Sequence, residues 1–166
     1  MQWSASVEEK LQELVRRYPE PRAALIPVLH LVAREDGFIS RGAMEEVARR
    51  LGIAESEVLS VASFYTMLPL RPRGKFHIQV CTNVSCFLRG GEAILQHIQQ
   101  RLGILPGETT PDGWFSLETV QCLAACEMGP VMRVNDLYYG HLTNEKVDEI
   151  LQRFREYLTQ EREVPV

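Results

Sequence analysis

Apolar positions recur at helical spacing through the first part of the chain and change to strand alternation near residue 75. Val7, Leu11, Leu14 and Val15 predict a helix from Val7 to Tyr18, with Ser6 as N-cap and Glu8 and Glu9 in its first turn. Pro19 and Pro21 end it. A second helix is expected from about Pro21 to Arg34 on Leu25, Ile26, Val28, Leu29 and Val32, with Pro27 marking a kink or a late start. Asp36-Gly37-Phe38-Ile39 reads as a turn. Ser40 then caps a third helix carrying Met44, Val47, Ala48 and Leu51, which stops near Gly52. A fourth helix turns Val58, Leu59, Ala62 and Tyr65 inward, which makes residues 1–70 a helical bundle.

Pro69-Leu70-Arg71-Pro72-Arg73-Gly74 suits neither a helix nor a central strand and reads as a solvated linker into a second domain, residues 71–166. From Lys75 to Cys81, Phe76, Ile78 and Val80 alternate with His77 and Gln79, the period of a half-buried strand. Ile94, Leu95, Ile98 and Leu102 predict a helix over Arg89–Leu102 closed by Gly103, and Trp114–Gln121 a second strand. Asn135-Asp136 between Val131–Asn135 and Tyr138-Tyr139 signals a hairpin. Thr143 caps a last helix striped by Val147, Ile150, Leu151, Phe154 and Leu158. The class is α+β, a small mixed sheet with helices, consistent with a thioredoxin-like fold.

Composition narrows the function. At 166 residues and 45% apolar the chain can bury one or two cores, so disorder is not expected. The 18 basic and 22 acidic residues are interspersed, for a net charge of -4, and form no basic stripe for nucleic acid. No run approaches the roughly 20 apolar residues of a membrane span, and Met1-Gln2-Trp3-Ser4 lacks signal-peptide character. The expectation is a cytoplasmic protein with no direct membrane insertion.

All four cysteines fall in two pairs, Cys81 with Cys86 and Cys122 with Cys126, and each pair follows an expected strand. In a reducing compartment such a set points to a metal site before disulfides. Four and three intervening residues are permitted for zinc but not favoured, and neither pair has the two-residue spacing of a dithiol redox motif. A [2Fe-2S] cluster takes four thiolates shared between two irons, and two separated pairs suit it.

The passage Gly74-Lys75-Phe76-His77-Ile78-Gln79-Val80-Cys81, with Cys86-Phe87-Leu88-Arg89-Gly90, Cys122-Leu123-Ala124-Ala125-Cys126 and Pro130-Val131-Met132, resembles the thioredoxin-like [2Fe-2S] ferredoxin family. That family includes the NuoE-type subunits of NADH:quinone oxidoreductase, respiratory complex I. The resemblance implies that Cys81, Cys86, Cys122 and Cys126 hold one [2Fe-2S] cluster. It also implies that the chain is a non-catalytic electron-transfer subunit beside a NuoF-type flavoprotein carrying FMN and NADH, in a larger respiratory complex peripheral to the cell membrane. Related subunits serve NAD-linked hydrogenases and formate dehydrogenases. The family's usual glycine after Cys122-Leu123 is Ala124 here, at a point where glycine would permit positive φ. Thr82, Asn83, Ser85 and the positive end of the helix near Arg89 are expected to stabilise the anionic cluster, and Glu127 to oppose its reduction.

Simpler roles fit the other candidates. His77 reads as solvated or at a subunit contact, and His30, His97 and His141 as helix or loop residues. Trp114, Tyr138 and Tyr139 read as core and hairpin packing, with an anchor for a partner as the alternative role of exposed aromatics. Gly90-Gly91 resembles a phosphate loop only faintly, without a Walker lysine. A zinc-stabilised interaction module is the alternative from a different class, and a free ferredoxin working alone is a third.

Overall fold

The computed structural model describes residues 3–159. Met1 and Gln2, on which the signal-peptide expectation partly rests, and residues 160–166 at the end of the second expected domain lie outside them. Packing divides the chain between Pro72 and Arg73 into a helical unit and an α+β unit.

The helical unit holds α1 (Ala5–Arg16), a 3-10 turn at Pro21–Ala24, α2 (Leu25–Asp36), α3 (Arg41–Leu51) and α4 (Glu55–Phe64). Ser4, not Ser6, caps α1, because its hydroxyl reaches the Val7 amide at 3.4 Å and the helix starts earlier. Pro27 is the third residue of α2, where amides have no intrahelical partner, so the helix starts late and does not kink there. Ser40 accepts from the Ala43 amide at 3.1 Å, and Gly52 closes α3 at φ 66°. Val28, Leu29, Val32, Val47, Val58 and Ala62 meet in one core. Leu59, expected inward, is 50% exposed: Val58 and Ala62 form the buried i, i+4 stripe, and Leu59 is turned 100° away from it.

The second unit is built on a four-stranded mixed sheet in the order β2-β1-β3-β4, with β1 at Phe76–Cys81, β2 at Phe115–Val120, β3 at Met132–Val134 and β4 at Leu137–Tyr139. β1 and β2 are parallel, while β3 runs antiparallel to β1 and to β4. Between β1 and β2 lie α5 (Val84–Leu88) and α6 (Gly91–Leu102), and α7 (Asn144–Thr159) follows the hairpin. Phe76, Ile78, Val80, Phe115, Leu117, Met132 and Val134 pack with Ile94, Ile98, Val147, Ile150 and Leu151, so α6 and α7 cover the same face of the sheet. The helix expected over Arg89–Leu102 is α6, which starts two residues later because Gly90, at φ 87°, turns the chain, and the short α5 before it was not expected.

The opposite face is polar but not freely solvated. His77, whose side chain is only 12% exposed, meets Glu118 through Nε2 at 2.9 Å, and the Gln79 amide reaches the same carboxylate at 3.1 Å. Arg133 donates to Gln79 Oε1, and Arg73, expected in a solvated linker, is 3.8 Å from Glu118. Burial lowers the Arg73 pKa from the usual guanidinium value. The hydrogen bond from His77 is the main cause that lowers the Glu118 pKa. The alternation correctly placed these residues away from the hydrophobic core. Their mutual pairing is what removes them from water.

Candidate metal centre

Parallel pairing of β1 with β2 puts Cys81 opposite Val120 in register, two residues before Cys122. Both cysteine segments therefore leave the carboxyl ends of adjacent strands, where open α/β sheets place their sites. Cys81 is the last residue of β1, its N–H donating to Val131 O at 3.2 Å. Thr82 ties the exit of β1 to that of β2, its N–H reaching Val120 O at 3.0 Å and its hydroxyl the same oxygen at 3.2 Å.

Asn83 caps α5, accepting from the Val84 amide at 2.7 Å, and Cys86 sits in the middle of this short helix. Thr82 and Asn83, expected as donors to sulfur, are thus engaged with backbone. Cys122 and Cys126 flank a loop that ends in a 3-10 turn, Cys126–Met128. Arg89 holds that turn from the other side, donating to Glu127 O at 3.2 Å and Gly129 O at 3.3 Å.

All four cysteines are free thiols; Cys81 and Cys86 are buried, Cys122 and Cys126 exposed. Cys81 and Cys86 share a small apolar cluster with Leu123, Ala125 and Val131. Burial is the main cause that raises the Cys86 pKa, and its hydrogen bond with the Cys81 thiol and the charges of Cys81 and Cys126 add to it. The Val131 amide acts the other way. The structure thus brings Cys81 and Cys86 together and Cys126 within electrostatic reach of Cys86. Cys122 faces solvent, its Sγ accepting from the Ala124 amide at 3.2 Å. Among the described residues no three His, Cys, Asp or Glu side chains already converge as a ligand set.

Three backbone features of this site differ from what side-chain patterns convey. Ala124 has φ 54°, the left-handed conformation in which glycine is normally favoured, and this turns its N–H onto Cys122 Sγ. A Cβ on Gly91 would lie 2.8 Å from Cys86 O and 3.0 Å from Cys86 C, so glycine is what lets α6 start against the Cys86 backbone. A Cβ on Gly129 would lie 3.5 Å from Cys86 Sγ. In the Gly90-Gly91 pair, which reads only as a faint phosphate loop, Gly91 is therefore what packs against Cys86, while Gly90 turns the chain at φ 87° between α5 and α6. A glycine pair shortly after a cysteine was the available signal.

The histidines sit elsewhere. His97 pairs with Asp148 at 2.9 Å, His77 with Glu118, and His141, at φ 49°, donates its backbone N–H to Met128 O. Glu127 is exposed. No helix among the described residues is long and apolar enough to cross a membrane.

The chain is 46% identical over 150 residues to an E-type subunit of the NADH-quinone oxidoreductase of Rhizobium meliloti, covering 90% of this chain and 89% of that protein. It is 40% identical over 151 residues to the corresponding E-type subunit of the NADH-quinone oxidoreductase of Mycobacterium bovis, covering 91% of this chain but 60% of that longer protein. Among solved structures, an air-oxidised NAD+-reducing [NiFe]-hydrogenase superposes with a TM-score of 0.69 at 19% identity, over 83% of this chain and 24% of that one, a likeness of fold. The model of the thioredoxin-like [2Fe-2S] ferredoxins matches residues 11–155, nearly the whole described chain, and the protein belongs to that family.

Proposed function

We propose that the protein is the electron-transfer subunit of an NADH:quinone oxidoreductase, with Cys81, Cys86, Cys122 and Cys126 as ligands of its [2Fe-2S] cluster. The observation that carries this is the delivery of two cysteine pairs to the carboxyl ends of two adjacent, in-register parallel strands. The donor set fits the group: four free thiols on two segments, with one backbone amide already aimed at a sulfur. When bound, the cluster accepts and returns one electron at a time.

The chain's own residues then have distinct tasks. Val131 and Leu123 exclude water from Cys81 and Cys86, while Cys122 and Cys126 lie on the exposed side of the site. Arg89 fixes the 127–129 backbone, and the Ala124 amide places a hydrogen-bond donor on Cys122 Sγ. FMN and NADH belong, in this reading, to a NuoF-type flavoprotein partner, and the whole complex lies peripherally at the membrane.

The relatives named for NADH-quinone oxidoreductase share 46% and 40% identity, against 19% for the hydrogenase, which favours the quinone-linked role. The hydrogenase likeness in fold supports a second reading, the equivalent subunit of an NAD-linked hydrogenase. Anaerobic affinity purification of the tagged chain from its native cells separates them. Recovery of an FMN-containing subunit with NADH-dependent quinone reduction is the expected result. Recovery with a nickel-containing subunit overturns it in favour of the second reading, and recovery of the chain alone overturns both.

A further inference from the structure

The two edges of the sheet are finished differently. At β2 the loop before the strand covers the edge: Gly107 N–H donates to Leu117 O at 2.7 Å, Leu117 N–H to Glu108 O at 3.0 Å and Thr110 N–H to Phe115 O at 2.8 Å. β4 forms the other edge, and among the described residues no further strand pairs with it. Val134 pairs with Leu137 and Met132 with Tyr139 across the two-residue turn Asn135-Asp136, so the antiparallel alternation turns the N–H and C=O of Tyr138 outward. Leu137 and Tyr138 on this edge are each 46% exposed. Open edges are ordinarily blunted by shortness, charge or proline. β4 is short, at three residues, but carries neither charge nor proline, so it offers one outward N–H and C=O beside exposed apolar side chains.

The core is also incomplete there. Leu137 and Tyr139 pair with Val134 and Met132, core residues on the helix-covered face, yet Leu137 stays half exposed because α7 does not cover it. Between β4 and α7 lies a cavity of ≈ 160 Å³ lined by Phe76, Leu137, Tyr139, Ile150, Phe154 and Tyr157, with Arg153 beside them. A cavity of about 150 Å³ with apolar walls accepts one benzene-sized ring. Burial raises the Tyr139 pKa, so that phenol stays a neutral donor, while Arg153 provides a positive charge near it. The pocket and the open edge adjoin through Leu137 and Tyr139.

We infer that the β4 edge and its pocket form a docking site for an extended segment of another subunit of the complex. The segment adds a strand beside Tyr138, inserts one phenyl- or leucyl-sized side chain between Leu137 and Phe154, and sets a carboxylate against Arg153. Strand addition of this kind takes affinity from main-chain hydrogen bonds and selectivity from the side-chain pocket. Opposite charge at the mouth orients the segment. The site lies at the end of β1 opposite Cys81, since Phe76 lines the pocket and Cys81 closes the strand, so its occupant and an electron donor at the cysteines can be bound together. This inference rests on the proposed membership of a multi-subunit complex.

Tagged wild-type chain and Leu137→Asp are purified anaerobically with their complex. The variant is expected to recover at least about tenfold less of it. The free variant keeps the wild-type thermal midpoint and reduced-state EPR spectrum, since Leu137 is half exposed and remote from the cysteines. Hydrogen exchange at the Tyr138 amide is expected to slow at least about tenfold on assembly. N-acetylphenylalaninate, which pairs a ring with a carboxylate, is expected to shift the amide NMR signals of Leu137, Ile150 and Phe154 in the free chain, with an affinity in about the millimolar range. Leu137→Asp that assembles as wild type with unprotected Tyr138 overturns the inference, and so does N-acetylphenylalaninate binding with assembly unaffected, which marks a small-molecule pocket only. A wild-type chain that purifies alone overturns the proposed function instead. The site is then judged on N-acetylphenylalaninate, and the absence of those shifts overturns it.

Discussion

Replacing Gly91 by alanine puts a methyl carbon 2.8 Å from the Cys86 carbonyl oxygen, where ordinary contact begins at 3.4 Å, so about 0.6 Å of separation must be found. Both sides resist it. Cys86 is 1% exposed, and α6 is fixed to the sheet by Ile94, Leu95 and Ile98. Overpacking of this kind costs about 1–3 kcal/mol, offset by up to about 1 kcal/mol from alanine's helix propensity. The net loss of about 1–2 kcal/mol lowers the melting temperature of a unit this size by roughly 5–15 °C. Displacing Cys86 matters more for the cluster, because disturbing the shell around a ligand typically costs about 10–100-fold in metal affinity. Thermal unfolding of the cluster-free chain and iron content after reconstitution read the two effects separately. Gly42→Ala is the control: nothing lies within 4 Å of its Cβ, and it is expected to stabilise by up to about 1 kcal/mol without changing iron content. Gly91→Ala that melts and loads iron like the wild type refutes the claim that this glycine seats Cys86.

Other substitutions probe single contacts. Ala124→Gly relieves a left-handed alanine and keeps the N–H on Cys122 Sγ, so stability is expected to rise by up to about 1 kcal/mol in a melt while the EPR spectrum of the reduced chain stays the same. Glu127→Gln removes an exposed negative charge next to Cys126 and is expected to raise the midpoint potential in a redox titration; an unchanged potential removes Glu127 from the tuning of the cluster. The folded-state pKa of Glu118 is depressed, chiefly by the His77 hydrogen bond, so its contribution is present above the ordinary carboxylate pKa and is lost as pH falls through the lowered value. Glu118→Gln is therefore expected to destabilise at neutral pH and to flatten acid denaturation followed by circular dichroism.

Much of this arrangement was legible because local signals agreed with one another. Ser40 and Gly52 bracket α3 with a side-chain cap and a left-handed stop, and both act as their residue types suggest. The alternation of Phe76, Ile78 and Val80 against His77 and Gln79 gave β1 and its faces. Where two signals competed, the sequence was a weaker guide. Ser4 and Ser6 are both good caps, and only hydrogen-bond reach to Val7 decides between them. Leu59 is as apolar as Val58, and the short α4 has one buried stripe to offer.

At the cysteines, spacing identified the candidate residues but not their surroundings. Register between β1 and β2 is a long-range property, and Gly91 is required by a backbone approach that no periodicity records. Likewise His77 is removed from solvent by Glu118, 41 positions away, a partner that alternation within one strand cannot name. The left-handed Ala124 was foreshadowed by a glycine elsewhere in the family, and its hydrogen bond to Cys122 was not.

Anaerobic purification followed by iron, acid-labile sulfide and EPR measurement on the chain and its four single Cys→Ser variants tests the central claim most directly. The expected result is a brown protein with about two irons and two sulfides per chain and an EPR signal on reduction, with the signal lost or altered when any of Cys81, Cys86, Cys122 or Cys126 is replaced. A colourless protein holding stoichiometric zinc, or a full cluster in every variant, would contradict it.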